Sequence, residues 1–385
     1  MDTYLFLTSI LVLIVSSIFY NLLKNKPSRN GLRSYPILGN LPDFIKNKNR
    51  FLQWTTEILS ATTPTHTVIL RVPSQPDQIL TSNPLNVEYV LNTNCRNYPK
   101  GDLFHFILKD LLGDGIFNSD GEQWHSQRKI ACFELNKRSL RSFVMKIVEF
   151  EILQRLIPVV NAAVEKRTIL NLQDVLQRFA FDNICKVAFD FDPETLSEDG
   201  ISQCIPSNFM TAFDDSANLI MNRLLEPAVF IWRVKRFLNI GKERQLKESM
   251  KVVNDFAYDI IRNRKSNQHA SSSHSNDDLL SRFAEKEDRT EQFLRDVILN
   301  FVTAGRETTS SALTWFFWLL SSNPDVEFKI LEEIKFIKTQ KQNHTYGNSG
   351  ILFDFDQLRE MNYLHAAISE SLRLTHLFIS THKQL

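Results

Sequence analysis

The chain has 385 residues, of which 43% are hydrophobic and 29 are phenylalanine, so it can bury a large core and is not a disordered tail. Its 45 Lys and Arg residues are almost balanced by 44 Asp and Glu residues. That balance gives no reason to expect a nucleic acid or another polyanion as partner. A neutral or apolar substrate fits it better.

The first element is an apolar run from Tyr4 to Leu23, which matches the roughly 20 residues that a helix needs to cross a bilayer. Basic residues follow between Lys24 and Arg33 and favour a cytosolic body. A cleaved signal peptide is the alternative, but Asp2 precedes the run and no small-residue cleavage site follows it. Residues 1–23 are therefore predicted to form an uncleaved transmembrane anchor.

The next elements are a connector and a small sheet. Residues 24–45 are basic and contain prolines that fix φ, which predicts a stiff hinge between membrane and globule. The β-rich runs from Thr67 to Val72 and from Gln78 to Thr81 flank a proline turn and predict two paired strands. Asn83-Pro84 then begins a helix that runs towards Leu91.

The remaining chain is overwhelmingly helical in its periodicity, which predicts a mainly α fold with a small β-sheet near the N-terminus. The predicted helices are Phe143 to Val164, Leu172 to Phe189, Phe209 to Asn222, Gly241 to Asn263, Glu291 to Leu320, Asp325 to Thr339 and Tyr363 to Leu374. A Ser/His/Asn-rich run between Asn263 and Asp278 predicts an exposed loop, in which His269 and His274 are solvated rather than metal ligands. No repeat or sharp change of composition divides the body, so we expect one large domain.

The four cysteines, Cys95, Cys132, Cys185 and Cys204, show neither a CxxC pair nor a zinc spacing. So few cysteines in so long a chain argue against a disulfide framework. They are predicted to be reduced and mostly buried.

The helix from Glu291 to Leu320 is apolar on nearly every face at its centre, yet it carries the small and polar residues Ala304 to Ser310 there. Glycine costs about 1 kcal/mol against alanine inside a helix, and threonine hydroxyls can bend a helix by bonding to carbonyls one turn earlier. Small residues would let a flat ligand approach, and Glu307 and Thr308 could pass protons to it. The alternative is a polar kink packed against neighbouring helices without a ligand.

Two further pairs have helical spacing. Trp124 and Arg128 lie four residues apart, where an indole N–H and a guanidinium could grip a carboxylate. A plain cation–π surface pair is the alternative. Glu370 and Arg373 lie three residues apart, which by itself indicates an exposed ion pair.

Taken together and in this order, these elements resemble the cytochrome P-450 family: anchor, proline-rich hinge, Trp-x-x-x-Arg, Ala-Gly-x-Glu-Thr-Thr and Glu-x-x-Arg. The resemblance implies a helical haem-thiolate monooxygenase fold, preceded by one transmembrane helix and incomplete at the C-terminus, with residues 46–374 as a partial monooxygenase domain. It implies haem b as cofactor, with Trp124 and Arg128 at the propionates and Ala304 and Gly305 beside the haem, Gly305 at the oxygen groove.

The resemblance also implies the roles of the charged residues. Glu307 and Thr308 would lie over the oxygen-binding face and relay protons. Glu370 and Arg373 would belong to a buried structural network. Electrons would come from a membrane-bound NADPH-cytochrome reductase, and the protein would sit in the endoplasmic reticulum membrane as a single-pass protein in contact with lipid.

Several runs look like the plant branch of that family that hydroxylates fatty acids at or near the methyl end. They are Asn97 to Gly101, Leu112 to Asn118, Phe181 to Cys185 and Ala312 to Trp318. The branch includes enzymes that oxidise fatty-acid-derived hormone conjugates, so the implied substrate is a long apolar chain with a polar head. Phe117 would lie near its pocket.

The sequence departs from the family pattern after Leu374, where a tyrosine and a proline-rich turn would follow. Residues 375–385 instead read THLFISTHKQL, a divergent tail of the kind that a frameshift, retained intron or alternative splice leaves. None of the four cysteines stands in a family ligand motif. His365, His376 or His382 would not supply the electron-rich thiolate that favours O–O cleavage. The chain is therefore expected to lack its axial cysteine and to have little or no monooxygenase activity.

Two alternatives to a monooxygenase stay open. One is a non-catalytic, membrane-tethered helical protein that binds lipid or a partner through an apolar pocket. In the other, the chain does not fold stably, because a missing C-terminal segment leaves apolar faces uncovered.

Overall fold

The computed structural model describes residues 12–13, 15–16, 20, 26–27, 32–35, 38–73, 76–135, 138–197, 208–226, 229–270, 279–284, 290–342 and 353–375. Most of the predicted anchor, His274 and the tail after residue 375 lie outside these ranges. Among the described residues, no helix has the length and hydropathy that crossing a bilayer requires.

Helices dominate the described chain, which confirms the predicted mainly α class. Their bounds are α1 Leu41–Asn47, α2 Phe51–Ala61, α3 Pro84–Glu88, α4 Gly101–Leu112, α5 Gly121–Leu135, α6 Arg138–Glu151, α7 Ile157–Lys166, α8 Leu172–Phe189, α9 Phe209–Leu224, α10 Val229–Leu238, α11 Gly241–Ala270, α12 Leu279–Ala284, α13 Glu291–Ser321, α14 Pro324–Gln342, α15 Phe355–Glu360 and α16 Asn362–Leu374. Short 3-10 turns, Lys48–Arg50 and Cys95–Asn97, and π-helical turns, Tyr89–Thr93 and Ile152–Leu156, complete them.

The predicted small sheet is present as an antiparallel pair, β3 Thr67–Leu70 and β4 Gln78–Thr81, with Val68 opposite Leu80. A second antiparallel pair, β1 Lys26–Pro27 and β2 Arg33–Ser34, lies within the predicted hinge. The hinge therefore contains paired backbone that its prolines did not indicate.

Two predicted boundaries need correction. The predicted helix from Phe143 to Val164 is interrupted by the π-helical turn Ile152–Leu156, because Pro158 at the start of α7 has no N–H to donate. The predicted loop from Asn263 is wrong in its first part, since α11 continues to Ala270. Arg262, Arg264 and Lys265, near the start of this extension, have a high helix propensity.

The chain divides into two compact units, each built from two stretches of sequence, although no change of composition marks the boundaries. The first comprises Met1–Ile107 and Asp215–Glu248. Its core is a cluster of Leu32, Phe44, Trp54, Val68 and Leu70. Part of the predicted hinge is thus packed into this unit.

The second unit comprises Leu108–Asp214 and Ser249–Leu385. Its longest element, α13, packs against α8 along much of its length. Aromatic rings fill part of its core: the neighbouring ring centroids of Phe181, Phe209, Phe213 and Phe256 lie 4.1–6.0 Å apart. This unit holds all of the predicted site residues.

Candidate active site on the central helix

Four of the nine predicted site residues lie on α13, which Thr290 caps by accepting a hydrogen bond from the backbone N–H three residues on. The stretch from Leu294 to Val302 is almost wholly buried. It nevertheless includes the polar side chains Arg295, Asp296 and Asn300, of which 6%, 1% and 1% is exposed. Burial of such groups is costly unless they are hydrogen-bonded.

Arg295 and Asp296 meet that requirement together. Arg295 Nη1 donates to Asp296 Oδ1 at 2.7 Å, and its Nε and Nη2 donate to Asn254 Oδ1 at 2.8 Å and Asp110 O at 2.5 Å. Burial raises the pKa of Asp296, while hydrogen bonds from the Asp114 N–H and Arg295 oppose that rise. These hydrogen bonds therefore offset the cost of burying the two charged side chains.

The same stretch of α13 holds the segment that follows α4. Asp114 N donates to Asp296 Oδ2 at 2.9 Å, and Phe117 N donates to Asn300 Oδ1 at 3.0 Å. Asn300 Nδ2 in turn donates to Leu112 O at 2.8 Å. Phe117, the predicted pocket residue, is thus fixed through its backbone while 43% of it is exposed.

At the centre of α13, hydroxyl groups bond to the helix itself. Thr308 Oγ1 donates to Ala304 O at 2.5 Å, and Thr303 Oγ1 donates to Leu299 O at 2.7 Å. Ala304 and Thr308, one turn apart on one face, are half-buried although the helix runs through the unit. The predicted back-bonding of threonine is confirmed, and the small residues leave that face open to a flat group.

Arg306 is the most deeply buried charge at this centre, with 1% of it exposed. Its Nη1 and Nη2 donate to the two carboxylate oxygens of Asp214 at 2.6 and 3.2 Å, and its guanidinium lies 5.6 Å from the ring centroid of Phe213. Its Nε has no hydrogen-bond partner in the described chain. Arg306 therefore ties α13 to α9 at the turn that carries the predicted acid.

Glu307 is the carboxylate of that turn. Its Oε1 lies 2.8 Å from Arg306 Nη1 but without hydrogen-bond geometry, so this buried oxygen has no hydrogen-bond partner among the described residues. Burial raises the pKa of Glu307, Arg306 opposes the rise, and Asp214 adds to it. Such a group keeps a proton to higher pH than an exposed glutamate.

Gly305 lies against α8. A side chain added there would overlap Ile184 of α8, so the glycine allows α8 and α13 to cross closely. The place of Gly305 at an oxygen groove stays a prediction.

The remaining predicted residues form two separate pairs. Arg128 stacks on the Trp124 ring at 5.0 Å on α5, the cation–π arrangement that the spacing allowed. Arg373 donates to both carboxylate oxygens of Glu370 at 2.7 and 2.6 Å. That pair is exposed, with 67% and 53% of the side chains accessible, so it is not buried as the resemblance implied. The i,i+3 spacing places both on the open side of α16.

Comparison with known proteins supports the sequence interpretation. The cytochrome P-450 family model matches residues 30–384. The chain is 44% identical over 351 residues to cytochrome P-450 CYP94D108 of Paris polyphylla, covering 90% of this chain and 67% of that protein. It is 44% identical to cytochrome P-450 94A2 of Vicia sativa and 43% identical to cytochrome P-450 94B1 of Arabidopsis thaliana, covering 89% of this chain and 64% of each relative.

The fold and α13 are those of a haem-dependent class of oxidoreductase. The chain belongs to the cytochrome P-450 family, whose members are haem-thiolate monooxygenases. It spans about two thirds of the length of the curated relatives that it matches.

The described residues fit one side of a haem. The half-buried face of Ala304 and Thr308 would accommodate a flat group, and Glu307, whose Oε1 accepts no hydrogen bond from the described residues, follows in the same turn. The described cysteines do not fit the thiolate side. Cys95 and Cys132 are exposed, whereas burial raises the pKa of the Cys185 thiol and keeps it protonated.

Sequence reasoning missed Arg306, Asp214, Arg295, Asp296 and Asn300. Arg306 carried a usable signal, because an arginine at the centre of a helix predicted to be buried must have a partner. Asp214 lay on a neighbouring predicted helix, but periodicity cannot show which face meets which. Arg295 and Asp296 could have been found as two adjacent, oppositely charged residues in a stretch of helix that is otherwise apolar.

Proposed function

We propose that this protein is a haem-dependent monooxygenase that hydroxylates fatty acids or fatty-acid-derived molecules at or near the methyl end. The observation that carries this proposal is the half-buried face of Ala304 and Thr308 on α13, next in sequence to Glu307, whose buried Oε1 is ion-paired with Arg306 but accepts no hydrogen bond from the described residues. The family membership and the relatives support the same chemistry.

The residues of this chain bind, orient and supply protons. When bound, haem supplies the iron that activates molecular oxygen. Trp124 and Arg128 would hold its propionates, since a guanidinium stacked on an indole presents its N–H groups outwards. In this proposal the Glu307 carboxyl group, whose pKa burial raises, is the proton donor, and the Thr308 hydroxyl, one residue away, passes the proton to the open face.

The substrate is a long apolar chain with a polar head. Phe117 offers an exposed ring on a fixed backbone, which suits contact with methylene groups. The near balance of charge on the chain leaves no strong field that would favour a polyanion.

The thiolate comes from a residue other than the described cysteines, because two are exposed and the third is held as a buried thiol. Electrons come from an NADPH-cytochrome reductase. The apolar N-terminal run anchors the protein in the endoplasmic reticulum membrane, in contact with lipid and with its body in the cytosol.

The test is the absorption spectrum of the reduced, haem-supplemented protein with carbon monoxide. Two proteins are compared: this chain alone, and a chimera that continues it with the C-terminal third of the Vicia sativa relative. We expect a strongly red-shifted Soret band, the mark of a thiolate ligand, in the chimera only. The same chimera is then incubated with reductase, NADPH and dodecanoic acid, and we expect a hydroxylated acid.

One result would contradict the stated source of the thiolate, and two would contradict the proposed function. A red-shifted band from the chain alone would show that one of its four cysteines binds iron. A chimera that takes up no haem would remove the monooxygenase function. A haem-loaded chimera that binds and oxidises no fatty acid would be consistent with the family chemistry but would contradict fatty acids as the substrate class.

A further inference from the structure

The segment Gly113–Ser119 lies unusually close to α13. Gly113 has a φ of +53°, and a side chain there would overlap the carboxylate of Asp296. A side chain at Gly115 would overlap the amide of Asn300. The two polar residues of α13 are therefore in direct contact with backbone.

The segment is also closed by its own polar groups. Asn118 Nδ2 donates to Gly113 O at 2.7 Å, and Gln127 Nε2 on α5 donates to Asp114 O at 2.9 Å. Asn118 and Gln127 are each 2% exposed. Hydrogen bonds of this kind, shielded from water, specify one backbone conformation.

Phe117 presents a hydrophobic side chain at the surface of this segment, since 43% of it is exposed while its N–H is held by Asn300. The Asp114 side chain is also exposed. A ring that is presented on a fixed backbone keeps its position when a ligand arrives, so less entropy is lost on binding. The arrangement resembles a binding contact more than a packing contact.

We propose that Asn300 and Asp296 are positioning residues, which hold the Gly113–Ser119 segment so that Phe117 discriminates between acyl chains of different length. This inference rests on the proposed function. Asn300 acts on both ends of the segment, through Phe117 N and Leu112 O, and Asp296 acts through Asp114 N. Neither residue needs to touch the substrate.

The backbone part is tested by hydrogen exchange and mass spectrometry on the 385-residue chain. In Asn300→Leu, which keeps the branched shape of the side chain but not its hydrogen bonds, and in Asn300→Ala, we expect amides of the Leu112–Ser119 peptide to exchange about tenfold faster. The matched control is Asn183→Ala on α8, which removes an amide bonded only to the Phe179 carbonyl in its own helix. It should leave that peptide unchanged.

An internal control reports on global unfolding. The N–H groups of Thr195 and Leu196 are held by buried Asp182 at 3.1 and 2.9 Å, in the same unit. Their exchange should stay at the wild-type rate in both Asn300 variants. Unchanged exchange of the Leu112–Ser119 peptide in those variants would overturn the positioning role, and so would equal acceleration at Thr195 and Leu196.

The specificity part is tested by displacement of a fluorescent fatty acid from the same chain with dodecanoic and hexadecanoic acids. We expect the ratio of their Kd values to shift by about threefold or more in Phe117→Ala, and in the same direction in Asn300→Leu. A shift in Phe117→Ala alone would overturn the link between the two residues. Wild-type protein that binds neither acid would contradict both the fatty-acid part of the proposed function and the specificity role. The exchange experiment would still decide the positioning role.

Discussion

The buried carboxylates in the first third and at the centre of α13 differ in their hydrogen bonding. In the first third, Asp296 receives hydrogen bonds from Arg295 and from the Asp114 backbone. At the centre, Glu307 lies as close to Arg306, yet its Oε1 has no hydrogen-bond partner in the described part of the chain. Burial raises the pKa of both groups.

The difference separates positioning from chemistry. A buried carboxylate whose hydrogen bonds are made stabilises one arrangement and has little left to offer a ligand. A buried carboxylate with an unpaired oxygen costs stability, and such a cost is common where a protein keeps a group ready for proton transfer. Substitutions at the two positions should therefore affect different observables.

The largest effect is expected for Asp296→Leu. It leaves Arg295, 6% exposed, without its charge partner, which should lower the free energy of unfolding by about 3–5 kcal/mol. Urea denaturation monitored by circular dichroism measures it. Asp296→Asn is the matched control, since it keeps an oxygen for the Asp114 N–H and should cost less. A leucine variant as stable as the wild type would mean that the network does not hold this helix.

Glu307→Gln should act on turnover instead. We expect hydroxylation by the chimera to fall about 10²-fold, because a positioned proton donor contributes that much or more, while the stability stays equal or rises. In the wild type, the rate should fall as the pH rises through the raised pKa of Glu307, since the carboxyl group loses its proton. The variant should lose that limb of the pH profile. A variant that keeps full activity and the same limb would exclude Glu307 as the proton donor.

Glu151 is an intermediate case and gives a prediction for pH. Arg155 Nη1 donates to its Oε1 at 2.7 Å, while Oε2 has no hydrogen-bond partner in the described chain. Burial raises its pKa from 4.5 to about 7, Arg155 opposes this, and Asp182, Asp192 and Glu194 add to it. The folded state thus binds this proton more tightly than the unfolded state, so its stabilising effect is complete below pH 4.5 and is lost as the pH rises towards 7.

Glu151→Gln removes that dependence. Between pH 5 and pH 8, the wild type should lose about 2 kcal/mol of unfolding free energy relative to the variant. Denaturation of both proteins at the two pH values measures it. Parallel pH dependence of wild type and variant would show that Glu151 ionises normally.

The smallest effect is expected for Arg373→Ala. The Glu370–Arg373 pair is exposed, so its loss should produce no measurable change in the denaturation midpoint of this chain. Arg155→Ala serves as the contrast, because Arg155 joins Glu151 to Asp192 in a largely buried network. A strong destabilisation by Arg373→Ala would indicate the buried network that the sequence resemblance implied.

Much of the fold could be predicted because periodicity is a local property. The helix Leu172–Phe189 and the strand Gln78–Thr81 have the predicted bounds, and the long central helix differs by one residue at its end. The misses depend on tertiary context. Pairing of Lys26–Pro27 with Arg33–Ser34 leaves no periodic signal in two-residue strands. Extension of α11 to Ala270 follows from helix propensity in a stretch that composition made look like a loop.

The site was predictable in residue type and less so in contacts. The motif from Ala304 to Thr308 predicts a proton-relay pair, and that role stays a prediction. It did not indicate that Gly305 faces Ile184 or that Arg306 reaches Asp214. Those contacts depend on how α8 and α9 pack against α13, which spacing along one helix cannot show.

The central claim is that the Thr308 face of α13 supplies protons to the reaction. The most direct test compares Thr308→Ala with Thr303→Ala, since both hydroxyls bond to the carbonyl four residues earlier but only Thr308 shares the face of Ala304. In the haem-loaded chimera with reductase, we would measure hydroxylated acid formed per NADPH consumed. We predict a large fall in that ratio for Thr308→Ala and none for Thr303→Ala. Equal ratios in the two variants would contradict the claim.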